Sequence, residues 1–217
     1  MLSALAVVVT GCSTTAGSSD ETPSSPDASA ATIDNCGVEE TFAEVPSRVV
    51  LLGFVSVAEV SAFVELGIQD SIIANLQTYG VSDDPTLVDQ IAELPTGGLS
   101  INENFGPPAE QVLALEPDLV VSTTPVGFDA NLGFATRDEL ASAGANSFVT
   151  PARCADGNTD ATAEELERYD TAGIDGSIEL IEQLGAGVGV LVLFRQHHRV
   201  AEGPAARQDR PSPMSLS

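Results

Sequence analysis

The sequence predicts an α/β fold in which a parallel, doubly wound sheet carries helices on both faces. Short apolar strand patterns alternate with helical patterns between residues 49 and 150, and this alternation is typical of a parallel sheet. Residues 49–52 and 119–122 are apolar at nearly every position, as expected of strands that are covered on both faces. Glycine and proline stand between the segments, which favours separate elements joined by short loops.

The predicted elements of the first half begin with a hairpin and then alternate between strand and helix. Gly53 ends the first buried strand, and Gly67 stops the helix that follows it. These elements are a hairpin at residues 32–37 and 40–42, a buried strand at 49–52, a helix at 58–66, a strand at 71–74 and an amphipathic helix at 85–94.

The stretch from residue 106 to residue 125 predicts a helix followed by a buried strand. Two prolines suit the first turn of the helix, where a missing N–H costs nothing. The helix must end at Glu116, because the residue before a proline is pushed out of the α region. The strand occupies residues 119–122, and Thr123 and Thr124 stand just past its carboxyl end. Open α/β sheets bind ligands at that edge, so we expect a ligand site there.

The last predicted elements complete the sheet and add helices behind it. They are a helix at residues 137–143, a strand at 147–150 and helices at 163–169 and 174–184. In the final helix, Ile174, Ile178, Ile181 and Leu184 recur at helical spacing and predict one apolar face. Beyond residue 185 the periodicity is lost, and the last residues are rich in Arg, Pro, Ala and Ser.

The charge excludes one class of partner. The chain has a formal charge of −24, with 32 acidic residues, eight arginines and no lysine. Nucleic acid is a poor partner for such a surface, because binding it requires cations that displace phosphate counterions. The last 23 residues differ from the rest, since they hold four of the arginines and both histidines.

The first 31 residues predict export and attachment to a membrane surface. Residues 2–9 are apolar but too short to span a bilayer, and they fit the core of a signal peptide. The sequence VTGC, which ends at Cys12, is similar to a bacterial lipobox, so we expect Cys12 to be lipidated. An ordinary secretory signal with an incidental cysteine is the alternative. Residues 13–31 lack large apolar side chains and predict a flexible tether.

Two further cysteines, Cys36 and Cys154, remain after Cys12. An even pair in an exported chain predicts a disulfide. Two free buried thiols are the alternative.

Motifs of catalysis and of metal binding are missing from the sequence. We find no GxSxG, P-loop, HExxH or GxGxxG after a strand, and we therefore expect a binding protein rather than an enzyme. No histidine precedes His197, so a histidine-based metal cage is not expected.

Several segments together resemble one family. They are the lipobox-like start, the Ser/Thr tether, PSRVVLLG, an acid-bearing helix ending in ELG, and PAEQVLALEPDLVVS. Their order is similar to that of the solute-binding lipoproteins of ABC importers for ferric siderophores, haem and cobalamin. This resemblance implies two α/β lobes that are joined by a long rigid helix and hold the ligand between them.

The resemblance also implies a domain organisation. Residues 1–12 would be the signal peptide, 13–31 the tether, 32–160 a periplasmic-binding-protein-like N-terminal lobe, 161–186 the start of the linking helix and 187–217 an aberrant tail. We expect a truncation or a shifted reading frame just after the first lobe.

The implied function is capture of a ferric siderophore outside the cytoplasm and its delivery to a permease, from a lipid anchor on the cell membrane and without a cofactor. Cobalamin or haem is the alternative ligand, and a non-transport surface lipoprotein or a non-functional fragment is the alternative role. The family pattern assigns permease docking to Glu110, although a carboxylate there also suits the helix dipole. Sheet topology places the ligand cleft at the strand exits. The cleft residues we expect are Phe54, Tyr79, Asn102, Thr123, Thr124, Arg137 and Arg153. The two arginines would face an anionic chelate, with a surface ion pair as the alternative for each.

Overall fold

The computed structural model describes residues 31–187, which form a mixed α/β fold. The strands are β1 (Ala31–Asn35), β2 (Val38–Phe42), β3 (Val49–Leu51), β4 (Ile72–Asn75), β5 (Leu119–Ser122) and β6 (Asn146–Val149). The helices are α1 (Val57–Glu65), α2 (Pro85–Ala92), α3 (Ala109–Ala114), α4 (Arg137–Ser142), α5 (Ala163–Asp170) and α6 (Ile174–Gly187). The predicted signal peptide, most of the predicted tether, Cys12 and the predicted tail fall outside the described residues.

The predicted parallel sheet is confirmed. Its four strands lie in the order β4-β3-β5-β6, and every neighbouring pair is parallel. The chain leaves β3 towards one side to form β4 and then crosses to the other side for β5 and β6. The reversal lies between β3 and β5, and such a switch point opens a crevice at the carboxyl ends of the strands.

Helices cover both faces of the sheet, as the sequence predicts. On one face, Val49 and Leu51 of β3 pack with α1 and with the end of α6. On the other face, Val50 packs against side chains of α3 and α4, among them Val112 and Leu140. Successive residues of a strand point to opposite faces, so a strand between two helical layers must be apolar throughout.

The amino edge of the sheet is fixed by a set of polar contacts that we call the amino-edge latch. The carboxylate of Asp118 accepts hydrogen bonds from the backbone N–H groups of Ser47 and Arg48 at 2.7 and 2.9 Å. Arg48 also donates its Nε to the carbonyl of Glu116 at 2.9 Å and another N–H to that of Leu115. The latch therefore joins the start of β3 to the end of α3 and the start of β5.

The hairpin β1–β2 is confirmed, and it covers the outer edge of β6. Its strands pair antiparallel. The buried side chain of Asn35 donates to the carbonyl of Val149 and accepts from the N–H of the same residue, both at 2.8 Å. The Asn35 amide thus satisfies both backbone groups of Val149, which lies on the edge strand of the sheet.

The predicted apolar face of the last helix is wrong for three of its four residues. Ile174, Ile178 and Ile181 are 80%, 50% and 49% exposed, whereas Leu180 and Leu184 are buried in the core. The helix packs through the side that carries these leucines, because that side faces the β3–β5 core. Within the described residues, every helix falls short of the length and apolarity that a membrane span needs.

Candidate ligand-binding site

A cavity of about 610 Å³ lies at the carboxyl edge of the sheet. Residues that follow all four parallel strands line it, and the first turns of α6 close one side. These residues are Phe54, Ser56 and Glu59 after β3, Tyr79 after β4, Thr123, Thr124 and Val126 after β5, Thr150, Arg153 and Asp156 after β6, and Gly176, Ser177 and Leu180 of α6. We call this the edge cavity.

The floor of the edge cavity is built around the carboxylate of Glu59, which is 1% exposed. Ser56 caps α1 and Glu59 lies three residues later, so the pair forms a capping box. The N–H of Ser56 donates to Glu59 Oε2 at 2.9 Å, and its hydroxyl donates to the same oxygen. The hydroxyl of Thr150 donates to Oε1. One carboxylate thus joins the exits of β3 and β6.

Thr123 ties the third strand exit to the same floor, since its hydroxyl oxygen accepts from the N–H of Ser56 at 3.1 Å. The neighbouring exits approach closely as well. Val57 donates its N–H to the carbonyl of Tyr79 at 2.7 Å. The backbone around the cavity is therefore held by hydrogen bonds between loops.

Aromatic side chains form part of the rim. The ring of Phe54 meets that of Phe134 edge to face, with centroids 5.7 Å apart. Tyr79 is 57% exposed, and its phenol is open to solvent at the mouth. The rim thus contains one aromatic ring that packs against another (Phe54) and one that is largely exposed (Tyr79).

Arg153 lies on the wall that follows β6, and its guanidinium is already paired. It donates to Asp156 at 2.5 Å and lies over the ring of Tyr169 with its Cζ 5.1 Å from the centroid, a cation–π geometry. Its Nε is buried without a hydrogen-bond partner among the described residues.

Five of the predicted cleft residues line the edge cavity: Phe54, Tyr79, Thr123, Thr124 and Arg153. The prediction placed them there because residues after parallel strands meet at one edge of the sheet.

Arg137, which we predicted to line the ligand cleft, does not line the edge cavity. Its side chain is instead hydrogen-bonded to partners inside the protein. It donates to Ser147 Oγ at 2.7 Å, to the carbonyl of Asn35 at 2.8 Å and to Glu40 at 3.1 Å. Burial lowers the pKa of Arg137 below its usual value, and the charge of Glu40 opposes this effect. The guanidinium joins the hairpin to β6 and leaves the edge cavity without this cation.

Asn102, also predicted to line the ligand cleft, lies elsewhere as well. Its amide donates to the carbonyl of Leu132 at 3.1 Å, and its oxygen accepts from the N–H of Asn104 at 2.8 Å. The side chain holds the 100–106 loop together and does not line the edge cavity. That loop approaches the β3 exit so closely that a Cβ at Gly53 would lie 2.3 Å from the carbonyl oxygen of Phe105.

The sequence prediction missed Ser56, Glu59, Thr150 and Asp156. The Ser-x-x-Glu spacing of the first two is a capping-box signal, and it could have marked an acid at the start of α1. Thr150 directly follows β6, but the predicted strand at residues 147–150 included it. A single sequence gives no signal that singles out Asp156.

Cys36 and Cys154 are joined in a disulfide with a Cα–Cα distance of 5.2 Å. Cys154 directly follows Arg153, so the bridge ties the hairpin to the wall of the edge cavity. Among the described residues, no cluster of three or more His, Cys, Asp or Glu side chains is placed to hold a metal ion.

Glu110, the residue expected to dock a permease, is exposed in the first turn of α3. Helices that connect parallel strands run antiparallel to them, so this turn lies towards the carboxyl edge of the sheet. The carboxylate is therefore solvent-accessible on the same side of the molecule as the edge cavity.

Among known proteins, this chain is similar to solved structures. No family model and no curated protein matches it. Among solved structures, it is similar to a protein of the ABC-type Fe³⁺-hydroxamate transport system of Saccharomonospora viridis, with 26% identity, 78% of this chain and 54% of that chain covered, and a TM-score of 0.45. A periplasmic binding protein of Veillonella parvula is 19% identical, with 79% of this chain and 50% of that chain covered and a TM-score of 0.48. The periplasmic catecholate-siderophore binding protein VctP of Vibrio cholerae is 22% identical, with 78% of this chain and 55% of that chain covered and a TM-score of 0.40. Of these three solved structures, two are named as periplasmic binding proteins and one as an Fe³⁺-hydroxamate transport system, and this chain spans about half of the length of each.

Proposed function

We propose that this chain is the solute-binding component of an ABC importer, and that it captures a ferric siderophore outside the cytoplasm without catalysing a reaction. The observation that supports this best is the edge cavity. Its volume of about 610 Å³ falls within the range of ~300–1,000 Å³ of small-molecule sites. It lies at the switch point of the sheet, where α/β folds bind ligands.

The disulfide supports a location outside the cytoplasm. Disulfides persist in oxidising compartments and are rare in the reducing cytosol. The bridge between Cys36 and Cys154 is consistent with the export signal that the sequence predicts at residues 2–9. We propose that Cys12 carries a lipid that holds the chain at the extracytoplasmic side of the cell membrane.

Delivery requires contact with a permease, for which we propose Glu110. Its exposed carboxylate suits a charge-assisted hydrogen bond to an arginine of the permease. A Glu110→Gln variant should bind ligand as before and slow uptake in cells. Unchanged uptake would assign the carboxylate to the helix dipole alone.

Calorimetry tests the binding function directly, because the chain has no tryptophan and only two tyrosines to report by fluorescence. The purified chain is titrated with ferrioxamine B, ferrioxamine E, ferric enterobactin, cyanocobalamin and haemin. We expect saturable 1:1 binding of at least one ferric siderophore. Preferred binding of cobalamin or haemin would reassign the ligand within the same site, and heat from none of the five would contradict the function.

A variant that fills the edge cavity locates the binding. Ala58 lines the edge cavity in the first turn of α1, so Ala58→Trp should reduce affinity by about tenfold or more, through overlap with the ligand. Ala141→Trp is the matched control, since Ala141 is exposed on α4. Equal affinity in the two variants would place the ligand elsewhere.

A further inference from the structure

The edge cavity contains more acidic than basic side chains. Glu59 and Asp156 line it together with one base, Arg153. Glu59 accepts hydrogen bonds from the N–H of Ser56 and from the hydroxyls of Ser56 and Thr150. The Glu59 carboxylate is the acceptor in all three hydrogen bonds. Its charge therefore lies on the floor of the edge cavity.

Arg153 does not offset both carboxylates. Its guanidinium is paired with Asp156 at 2.5 Å and rests on the ring of Tyr169. Its Nε is buried without a hydrogen-bond partner among the described residues, whereas the side chain as a whole is 41% exposed. One arginine balances only one of the two carboxylates, so the charged side chains that line the edge cavity sum to one negative charge.

The other arginines of the described chain are engaged away from the edge cavity. Arg48 is part of the amino-edge latch, and Arg137 is buried against Glu40. Arg168 lies 3.3 Å from Glu164 and 3.7 Å from Glu179. Residues 31–187 contain no lysine and 27 acidic residues, so the surroundings add to the negative potential of the edge cavity.

We propose that the edge cavity selects ferric chelates that are neutral or positively charged and rejects anionic ones, an inference that rests on the proposed function. A tris-hydroxamate complex of Fe³⁺ is neutral and becomes a cation when it carries a pendant ammonium group. A tris-catecholate complex carries a threefold negative charge. Such an anion would have to approach the carboxylates of Glu59 and Asp156 through an acidic surface, and like charges repel at short distances. A pendant ammonium or N–H donor meets acceptors there instead.

The test compares three chelates that differ in charge: ferrioxamine B as the cation, ferrioxamine E as the neutral ring and ferric enterobactin as the anion. Calorimetry at low salt should give affinities for both ferrioxamines at least about tenfold higher than for ferric enterobactin. Added salt should weaken binding of ferrioxamine B, because it screens the attraction. These measurements use the unaltered chain and do not depend on how any variant folds.

A single substitution tests whether the preference comes from the edge cavity. Asp156→Asn removes one of its carboxylates and frees Arg153, so the preference for ferrioxamine B over ferric enterobactin should shrink by about three- to tenfold. Asp160→Asn is the control, because Asp160 is exposed and does not line the edge cavity but changes the net charge equally.

The outcomes separate the inference from the function. Ferric enterobactin that binds as tightly as the ferrioxamines, or tighter, would overturn the charge selection and leave siderophore binding standing. An equal effect of the two substitutions would assign the preference to overall charge and overturn the role of the edge cavity. If no chelate binds, the proposed function fails and the inference fails with it.

Discussion

Arg137 and Glu40 form an ion pair in which the side chains are 15% and 7% exposed. A charge pair removed from water is costly to desolvate, and it persists when further hydrogen bonds satisfy both groups. Here Ser147 supplies them, because its hydroxyl donates to Glu40 at 2.5 Å and accepts from Arg137 at 2.7 Å. The pair attaches the hairpin to the last strand of the sheet.

Removing Arg137 alone should destabilise the protein strongly. We expect Arg137→Met to lower the free energy of unfolding by about 3–5 kcal/mol, because it leaves Glu40 as an unpaired buried charge. Urea denaturation followed by circular dichroism measures this loss. The double variant Arg137→Met, Glu40→Leu should recover a large part of it, since no charge then remains buried. A double variant less stable than the single one would show that the ion pair is not the source of the loss.

The residue scale also shows what a single sequence can predict about a site. Thr123 and Thr124 line the edge cavity, because a short side chain stays at the strand end that carries it. Arg137 was misplaced because a long side chain can turn towards either solvent or core, and its partners lie 97 and 102 residues away in Glu40 and Asn35. Sequence periodicity does not contain such distant pairings.

Capping boxes begin three of the helices, and the one at α4 gives a pH-dependent prediction. The N–H and the hydroxyl of Thr136 donate to Glu139 Oε2 at 2.9 and 3.0 Å. These bonds lower the pKa of Glu139, with the backbone bond contributing most. A carboxyl whose pKa is lowered in the folded state adds stability above its unfolded pKa and loses it as the pH falls through the folded value.

Thr136→Ala should therefore raise the pKa of Glu139 part of the way towards its ordinary value, since the backbone bond remains. An NMR titration of the Glu139 carboxyl carbon measures the shift. Thr162→Ala is the matched control, because Thr162 and Glu165 form the same box at α5, and it should leave Glu139 unchanged. An unaltered titration in Thr136→Ala would remove the hydroxyl as a cause.

Elements were predicted well where composition alone decides them. The predicted strand at residues 119–122 matches β5, because a nearly all-apolar run between a proline break and a threonine pair has few other solutions. The prediction of which side of α6 is buried was wrong, because the apolar residues of this helix occupy more than one side. The choice between Leu180 and Ile178 depends on which side meets the sheet, and this is a tertiary contact.

The disulfide acts on the whole molecule, since it closes a loop between residues 118 positions apart. In the chain-entropy account, such a bridge destabilises the unfolded state by restricting it. Replacing both Cys36 and Cys154 with serine should lower the free energy of unfolding by about 2–4 kcal/mol. Urea denaturation under oxidising conditions measures it, and addition of a reductant to the unaltered chain should give the same loss. A double-serine variant as stable as the original would contradict this role.

The amino-edge latch has a consequence for how the sequence can diverge. Ser47, Arg48 and Asp118 hold the register of the strands at one edge, while Thr123 and Thr124 face the edge cavity at the other. Under the proposed function, a change at Thr124 alters the ligand contacts without loosening the amino-edge latch, because the latch lies at the opposite edge. Over generations, ligand preference can then drift at such positions while the latch keeps the strands in place.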